Sequence, residues 1–151
     1  MTPPEDTSPK TALTTLSDAA SLRMATMRLA RRLRNHRAVA DLSDAHFSVL
    51  GALHKHGPFT LGQLATHEGV SAPSMNRTVN ALEENGYIAR TADDADGRKV
   101  NITLTDAGSS VVADTIAKRD AWLEDALADL DDEEHDILVQ AAGIMRKVAD
   151  R

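Results

Sequence analysis

The sequence contains no cysteine. That absence removes disulfides, thiolate metal ligands and thiol-based redox sensing together. Aromatic residues are almost as scarce, at 3%, so Leu, Val, Ile, Ala and Met must fill the interior, and such a composition favours helices. No apolar run approaches the length that spans a bilayer. The polar segment 1–11, with three prolines, lacks the apolar stretch of a signal peptide and is expected to be disordered. These features predict a cytoplasmic protein with no membrane partner. Also missing are a nucleophile elbow, a paired-ligand helix and a phosphate loop, so an enzyme such as a small hydrolase has no motif to stand on. His46, His54, His56 and His67 could be imagined around zinc, but they have no tight ligand spacing and no cysteine beside them. They read as surface histidines, and neither a metal nor a cofactor is expected.

What remains is 151 residues with 42% apolar content, one domain's worth of chain and enough to bury a core. The net charge of −6 argues against a nucleic-acid partner until its distribution is read. Residues 105–151 carry 12 acids against 5 bases, a balance of −7, which leaves +1 for residues 1–104. A duplex needs only a local basic face, and the first two thirds of the chain do not forbid one.

The most informative stretch is 60–104. Thr60 and Gln63 have the spacing of a capping box, Leu61, Leu64 and Ala65 follow as an apolar stripe, and Gly69 supplies a turn after Glu68, with Val70 expected to plug it from inside. Ser71 caps a second helix with Pro73 in its first turn. Met75, Val79 and Leu82 face inward at helical spacing, leaving Ser74, Asn76, Arg77 and Asn80 on other faces, and Gly86 ends the helix in a left-handed conformation. Two strands at about 87–91 and 99–104 flank the polar turn 92–97; in the second, Val100, Ile102 and Leu104 alternate with polar residues. A helix-turn-helix followed by a hairpin is a winged helix.

The runs Gly62-Gln63-Leu64-Ala65, Ser71 through Arg90 and Asp96-Gly97-Arg98-Lys99-Val100, with the ending Leu104-Thr105-Asp106-Ala107-Gly108, resemble the MarR family of bacterial transcription regulators. The acid, one residue, then arginine, followed by the alternating strand and that ending, is the most specific part, and the matching motifs cover the middle third of the chain. One departure is visible: Asn80 stands where family members often carry aspartate. The resemblance implies a mainly helical fold with a small β-hairpin wing, in which 12–42 and 105–151 supply dimerisation helices around a DNA-binding lobe at 43–104.

The flanks fit that organisation. A long helix is predicted over about 13–40, with two apolar stripes, one of Leu16, Ala20, Met24 and Met27, the other of Leu22, Leu29 and Leu33. Six arginines between Arg23 and Arg37 lie on it; they read as a solvated face, with a reach toward DNA flanks or an acidic partner as the alternative. Ser43 caps a helix that ends at His56, before Gly57-Pro58, with Phe47, Leu50 and Leu53 inward. A long helix is predicted from Asp106 to about Leu130, and Asp131 with Glu134 opens the last one. The terminal helices hold more apolar surface than one winged helix can cover, which predicts a homodimer.

The candidate DNA contacts are Ser71, Ser74, Asn76, Arg77 and Asn80 on the second helix, with Arg90, Asp96, Arg98 and Lys99 on the wing. A guanidinium such as Arg77 forks onto guanine, an amide such as Asn76 suits adenine, and serine hydroxyls with free backbone N–H groups hold phosphate. Arg98 fits a minor groove, steadied by Asp96, as the resemblance also implies; Arg90 and Lys99 add phosphate contacts, and Asp93 and Asp94 point away. The wing is not strongly basic, so affinity is expected to be modest and salt-sensitive. The resemblance further implies a crevice for a small aromatic or phenolic effector, with Arg23, Met24, Met27 and His46 as candidates. The leading expectation is a sequence-specific regulator, a repressor, reading palindromic double-stranded DNA as a homodimer. The alternative is a winged-helix protein-interaction module.

Overall fold

Short polar side chains start nearly every helix. In the computed structural model, which describes residues 17–93 and 95–151, six helices and three strands follow in the order α1 (Asp18–Asn35), α2 (Asp44–His56), β1 (Phe59–Thr60), α3 (Leu61–Glu68), α4 (Ala72–Glu84), β2 (Ile88–Ala92), β3 (Val100–Leu104), α5 (Asp106–Leu127) and α6 (Asp132–Ala149). The tail 1–11, the start of the first helix near Leu13, Leu16 and Asp94 lie outside the described residues. Ser43, Thr60, Ser71, Thr105 and Asp131 each accept a hydrogen bond from the backbone N–H three residues on, and the boxes of Thr60 with Gln63 and of Asp131 with Glu134 are closed in both directions. Each cap satisfies a donor that the first helical turn leaves without a partner.

Contacts divide the chain after Arg32 into two units. The first contains most of α1, which buries none of its residues; Leu22, Met24, Met27 and Leu29 are all exposed. In the second unit, Leu42, Val49, Leu50, Leu53, Leu64, Ala65, Met75, Val79, Leu82, Ile88, Ile102 and Val112 form one core. The core thus draws on α2, α3, α4, the sheet and α5 alike, so the winged lobe shares its interior with α5. On α6 no residue is buried, and Ile137, Leu138, Val139, Ile144 and Val148 are 49–62% exposed.

Five expectations need correction. The first helix ends at Asn35, not near Ala40, where a backbone donor that would extend it and a nearby arginine side chain are both taken up by other parts of the chain. The N–H of Ala38 donates to Thr115 Oγ1 at 3.0 Å, and Arg37 turns back to give Nη1 to the carbonyl of Leu42 at 2.6 Å. The hairpin is the larger part of a three-stranded antiparallel sheet ordered β1-β3-β2, in which Phe59 pairs with Ile102 and Thr60 with Asn101. A two-residue strand has too few residues to show alternation. The strands of the hairpin begin one residue later than expected, with Ile88 opposite Leu104 and Ala92 opposite Val100. The fifth helix closes at Leu127, three residues early. Finally, Val70 does not plug its turn: it is 43% exposed, and the turn is held by the backbone, with Val70 N–H on the carbonyl of Ala65 and Gly69 N–H on that of Thr66.

The sheet meets α5 at its base through the Leu-Thr-Asp-Ala-Gly ending. Leu104 packs against the core, Thr105 caps α5 while its hydroxyl donates to the Gly86 carbonyl at 2.7 Å, and its N–H donates to the Tyr87 carbonyl at 3.1 Å. Gly108 is buried directly beneath: a Cβ there would stand 2.1 Å from that Tyr87 oxygen. The glycine is required by the close approach of two backbones, not by its φ.

Candidate nucleic-acid interface

The second helix of the pair, α4, is anchored by Met75, Val79 and Leu82, which are buried, and this fixes which edge looks outward. Ser71, Asn76, Arg77 and Asn80 are exposed and Ser74 is half-buried. The helix ends in a paired closure at Gly86, φ 77°, where Tyr87 N–H bonds the Leu82 carbonyl and Gly86 N–H that of Glu83. This left-handed turn sends the chain directly into β2. Arg77 makes no hydrogen bond or ion pair among the described residues, so its guanidinium donors stand open to solvent.

Arg90, expected from the sequence as a phosphate ligand, is engaged with α4. From β2 it reaches back across α4, giving Nη2 to Asn80 Oδ1 at 2.7 Å and to Asn76 Oδ1 at 3.4 Å while Nη1 pairs with the carboxylate of Glu83. One guanidinium therefore spans about two turns of the helix and ties it to the sheet. Asn80 takes part through its carbonyl oxygen, which needs no negative charge to accept from an arginine. This is how the chain accommodates an amide where an aspartate is common. Sequence spacing placed Arg90 on the wing strand but could not say that it turns toward the helix.

At the wing, Arg98 is 97% exposed along its side chain, with Nε 3.9 Å from Asp96 Oδ1; that oxygen also accepts the Arg98 N–H at 3.2 Å. Lys99 is exposed. Asp93 does not simply point away. Its carboxylate lies in the turn, accepting from the N–H groups of Ala95 and Asp96 and from Asn101 Nδ2. The Asn101 bond, followed by the two backbone donors, holds its carboxyl below the ordinary aspartate range.

The effector candidates stand apart in character. Arg23, Met24 and Met27 are exposed on α1, and His46 is half-buried in the first turn of α2. A hollow of about 420 Å³ that sequence reasoning missed is lined by Arg34, Asp44, Phe47, Ser48, Gly51 and Arg119. Arg119 lies over the Phe47 ring at 4.3 Å and gives Nε to the His36 carbonyl at 3.2 Å; burial lowers its pKa from the usual arginine value. Asp44 pairs with Arg37 at 3.0 Å and Arg34 at 3.5 Å. The available signal was a basic residue, Arg119, on the helical face that carries Thr115 and Trp122. Of the histidines, His56 and His67 meet ring to ring at 5.4 Å beside Phe59, and no group of three or more candidate ligands forms among the described residues.

The profile described as MarR family matches residues 40–99, which run from the approach to α2 to the wing. A helix-turn-helix transcriptional regulator of Mycobacterium tuberculosis is 36% identical over 132 residues, covering 87% of this chain and 92% of the relative. This chain belongs to the MarR family. Its members are DNA-binding transcription regulators and not enzymes. A transcriptional repressor of Bacillus subtilis is 32% identical over 108 residues, covering 72% of this chain and 68% of its own length. Among solved structures, a transcriptional regulator from Thermotoga maritima superposes with a TM-score of 0.72 at 27% identity, covering 87% and 95% of the two chains. A MarR family protein from Bacillus stearothermophilus gives 0.75 at 24% identity, over 87% and 91%, and supports the fold. The winged helix-turn-helix reading of the sequence stands. No helix among the described residues is long and apolar enough to cross a membrane.

Proposed function

We propose that this MarR-family regulator is a repressor that binds a palindromic operator as a homodimer, with α4 in the major groove and Arg98 in the adjoining minor groove. The observation that carries the reading is the pairing of an open Arg77 on the outward edge of α4, whose opposite face is buried, with an almost fully exposed Arg98 on the wing. Arg77 and Asn76 read base edges, the hydroxyls of Ser71 and Ser74 hold phosphate, and Lys99 adds a second phosphate contact. Arg90 and Asn80 serve the interface by holding α4 at its angle. The uncovered apolar residues of α6 support pairing with a second copy, which places two reading helices about 10 base pairs apart. The name of the Bacillus subtilis relative supports a repressing role.

Release by a small aromatic or phenolic effector is part of the same proposal. Arg23, Met24, Met27 and His46 remain its candidates from the sequence, and the hollow beside Phe47 and Arg119 is a further one, since an aromatic acid could exchange with Asp44 for the arginines there. Such a ligand releases DNA only by favouring a dimer whose reading heads are wrongly spaced. Selection of bound sequences from a random DNA pool tests the main reading. Enrichment of an inverted repeat, with affinity falling steeply as salt rises, is expected. Absence of any enriched sequence favours a protein-interaction role and overturns the proposal.

A further inference from the structure

The guanidinium of Arg98 has no packing to hold it, yet the turn that carries it is closed by an unbroken run of hydrogen bonds beginning in the sheet. On β3, Asn101 gives Nδ2 to Asp93 Oδ2 at 2.8 Å. Asp93 Oδ1 accepts the N–H groups of Ala95 and Asp96, both at 2.9 Å. The Asp93 N–H donates to the Lys99 carbonyl at 2.9 Å, and the Lys99 N–H returns to the Asp96 carbonyl at 2.8 Å. Asp96 then accepts the Arg98 N–H. Every link between Asn101 and Arg98 passes through Asp93 or the backbone it organises.

We propose that Asp93, anchored by Asn101, is a positioning residue for DNA binding: it selects the single turn conformation in which Arg98 is aimed into the groove. The inference rests on the reading of the wing as a groove-entering element. Ordering a loop at the moment of binding costs conformational entropy, and a turn already closed by these bonds has met that cost beforehand. With a fraction f of wings in the competent conformation, apparent affinity falls in proportion to f. A carboxylate suits the task because its two oxygens accept on opposite sides, one facing the turn and one the sheet. Its ionised form is present throughout the neutral range, since the same bonds keep its pKa low.

Simple electrostatics predicts the opposite sign. Removing an acid from a loop that faces phosphates should tighten binding; removing the brace should weaken it. The test measures operator affinity by fluorescence anisotropy for Asp93→Ala, Asn101→Ala, Arg98→Ala and the double variant Asp93→Ala/Arg98→Ala, with thermal unfolding as the check on folding. Arg98→Ala is expected to weaken binding about tenfold, near the lower end of what a well-placed groove contact contributes. Asp93→Ala and Asn101→Ala should each weaken it about three- to tenfold. The double variant should be no weaker than Arg98→Ala alone, because Asp93 acts only through that arginine. The exchange Asp93→Asn with Asn101→Asp, which conserves charge and restores the side-chain bond with donor and acceptor reversed, should recover most of the loss. Affinity unchanged or improved in Asp93→Ala, or losses that simply add in the double variant, overturn the inference while leaving the wing reading intact. Native affinity in Arg98→Ala overturns the wing reading and the inference together.

Discussion

Replacing Gly108 by alanine adds one methyl group, and the structure states where it goes. The new Cβ would lie 2.1 Å from the Tyr87 carbonyl oxygen and 3.0 Å from both the Tyr87 carbonyl carbon and Leu104 Cδ2. Ordinary contact is about 3.5 Å, so the first turn of α5 and the base of β2 must part by about 1 Å or more. Two of the three neighbours are backbone atoms and cannot turn aside. Overpacking of this kind costs about 1–3 kcal/mol. The parting also strains the bonds of Thr105 to the Tyr87 and Gly86 carbonyls, each contributing about 1 kcal/mol net. Against this stands the better helix propensity of alanine, about 1 kcal/mol. The clash wins, and a net loss of about 1–3 kcal/mol is expected. Gly51, inside α2, has nothing within 4 Å of the corresponding point, so the same change there should stabilise by about 0.5–1 kcal/mol. Urea unfolding at matched protein concentration, with m-values compared, measures both. Gly108→Ala unfolding at or above the wild-type midpoint would refute the argument that close backbone approach demands this glycine.

Three further outcomes follow from the same geometry. Arg90→Met, which keeps much of the side-chain length but removes the bonds to Asn76, Asn80 and Glu83, should lower operator affinity and discrimination while leaving the slope of log affinity against log salt nearly unchanged; a phosphate ligand would instead reduce that slope by about one per arginine lost. Introducing charge at the exposed apolar face of α6 through Ile144→Asp and Val148→Asp should shift the sedimenting species from dimer toward monomer and lower operator affinity with it. The pH response of the wing has a definite sign. Because the Asp93 pKa is lower folded than unfolded, its contribution is complete above the ordinary aspartate value of about 3.9 and is lost as pH falls through the depressed one. Amide exchange at Ala95 and Asp96 should therefore stay protected, relative to the loop's own intrinsic rate, down to about pH 4 and lose protection only in more acid solution.

Local chemistry explains why so much of the fold was legible beforehand. A serine, threonine or aspartate followed three residues later by an N–H in need of an acceptor is a short-range device; Ser43, Thr60, Ser71 and Asp131 each act as expected wherever the rest of the chain goes, and Thr105 caps α5 by the same spacing. The inward face of α4 followed from 3.6-residue spacing in the same way. The exceptions are residues whose partners are remote in sequence. Two strand residues at Phe59 and Thr60 carry no alternation to read, and they become a strand only because β3 lies alongside. The end of α1 is decided by Thr115, 77 residues from Ala38.

The candidate site divides along the same line. Residue type and helical phase were enough to nominate Asn76 and Arg77, since exposure follows from which neighbours must be buried, and the acid-x-arginine spacing on the wing nominated Arg98. The direction taken by a long side chain was beyond their reach: Arg90 folds back onto Glu83, Asn80 and Asn76, and Asp93 turns inward to Asn101 instead of away. Cap spacing and apolar period are properties of a segment and survive in isolation, so the chain alone determined the helices, their order and the outward edge of α4. Which donor meets which acceptor across the sheet depends on distances that exist only after the core has closed, and there the tertiary structure decided.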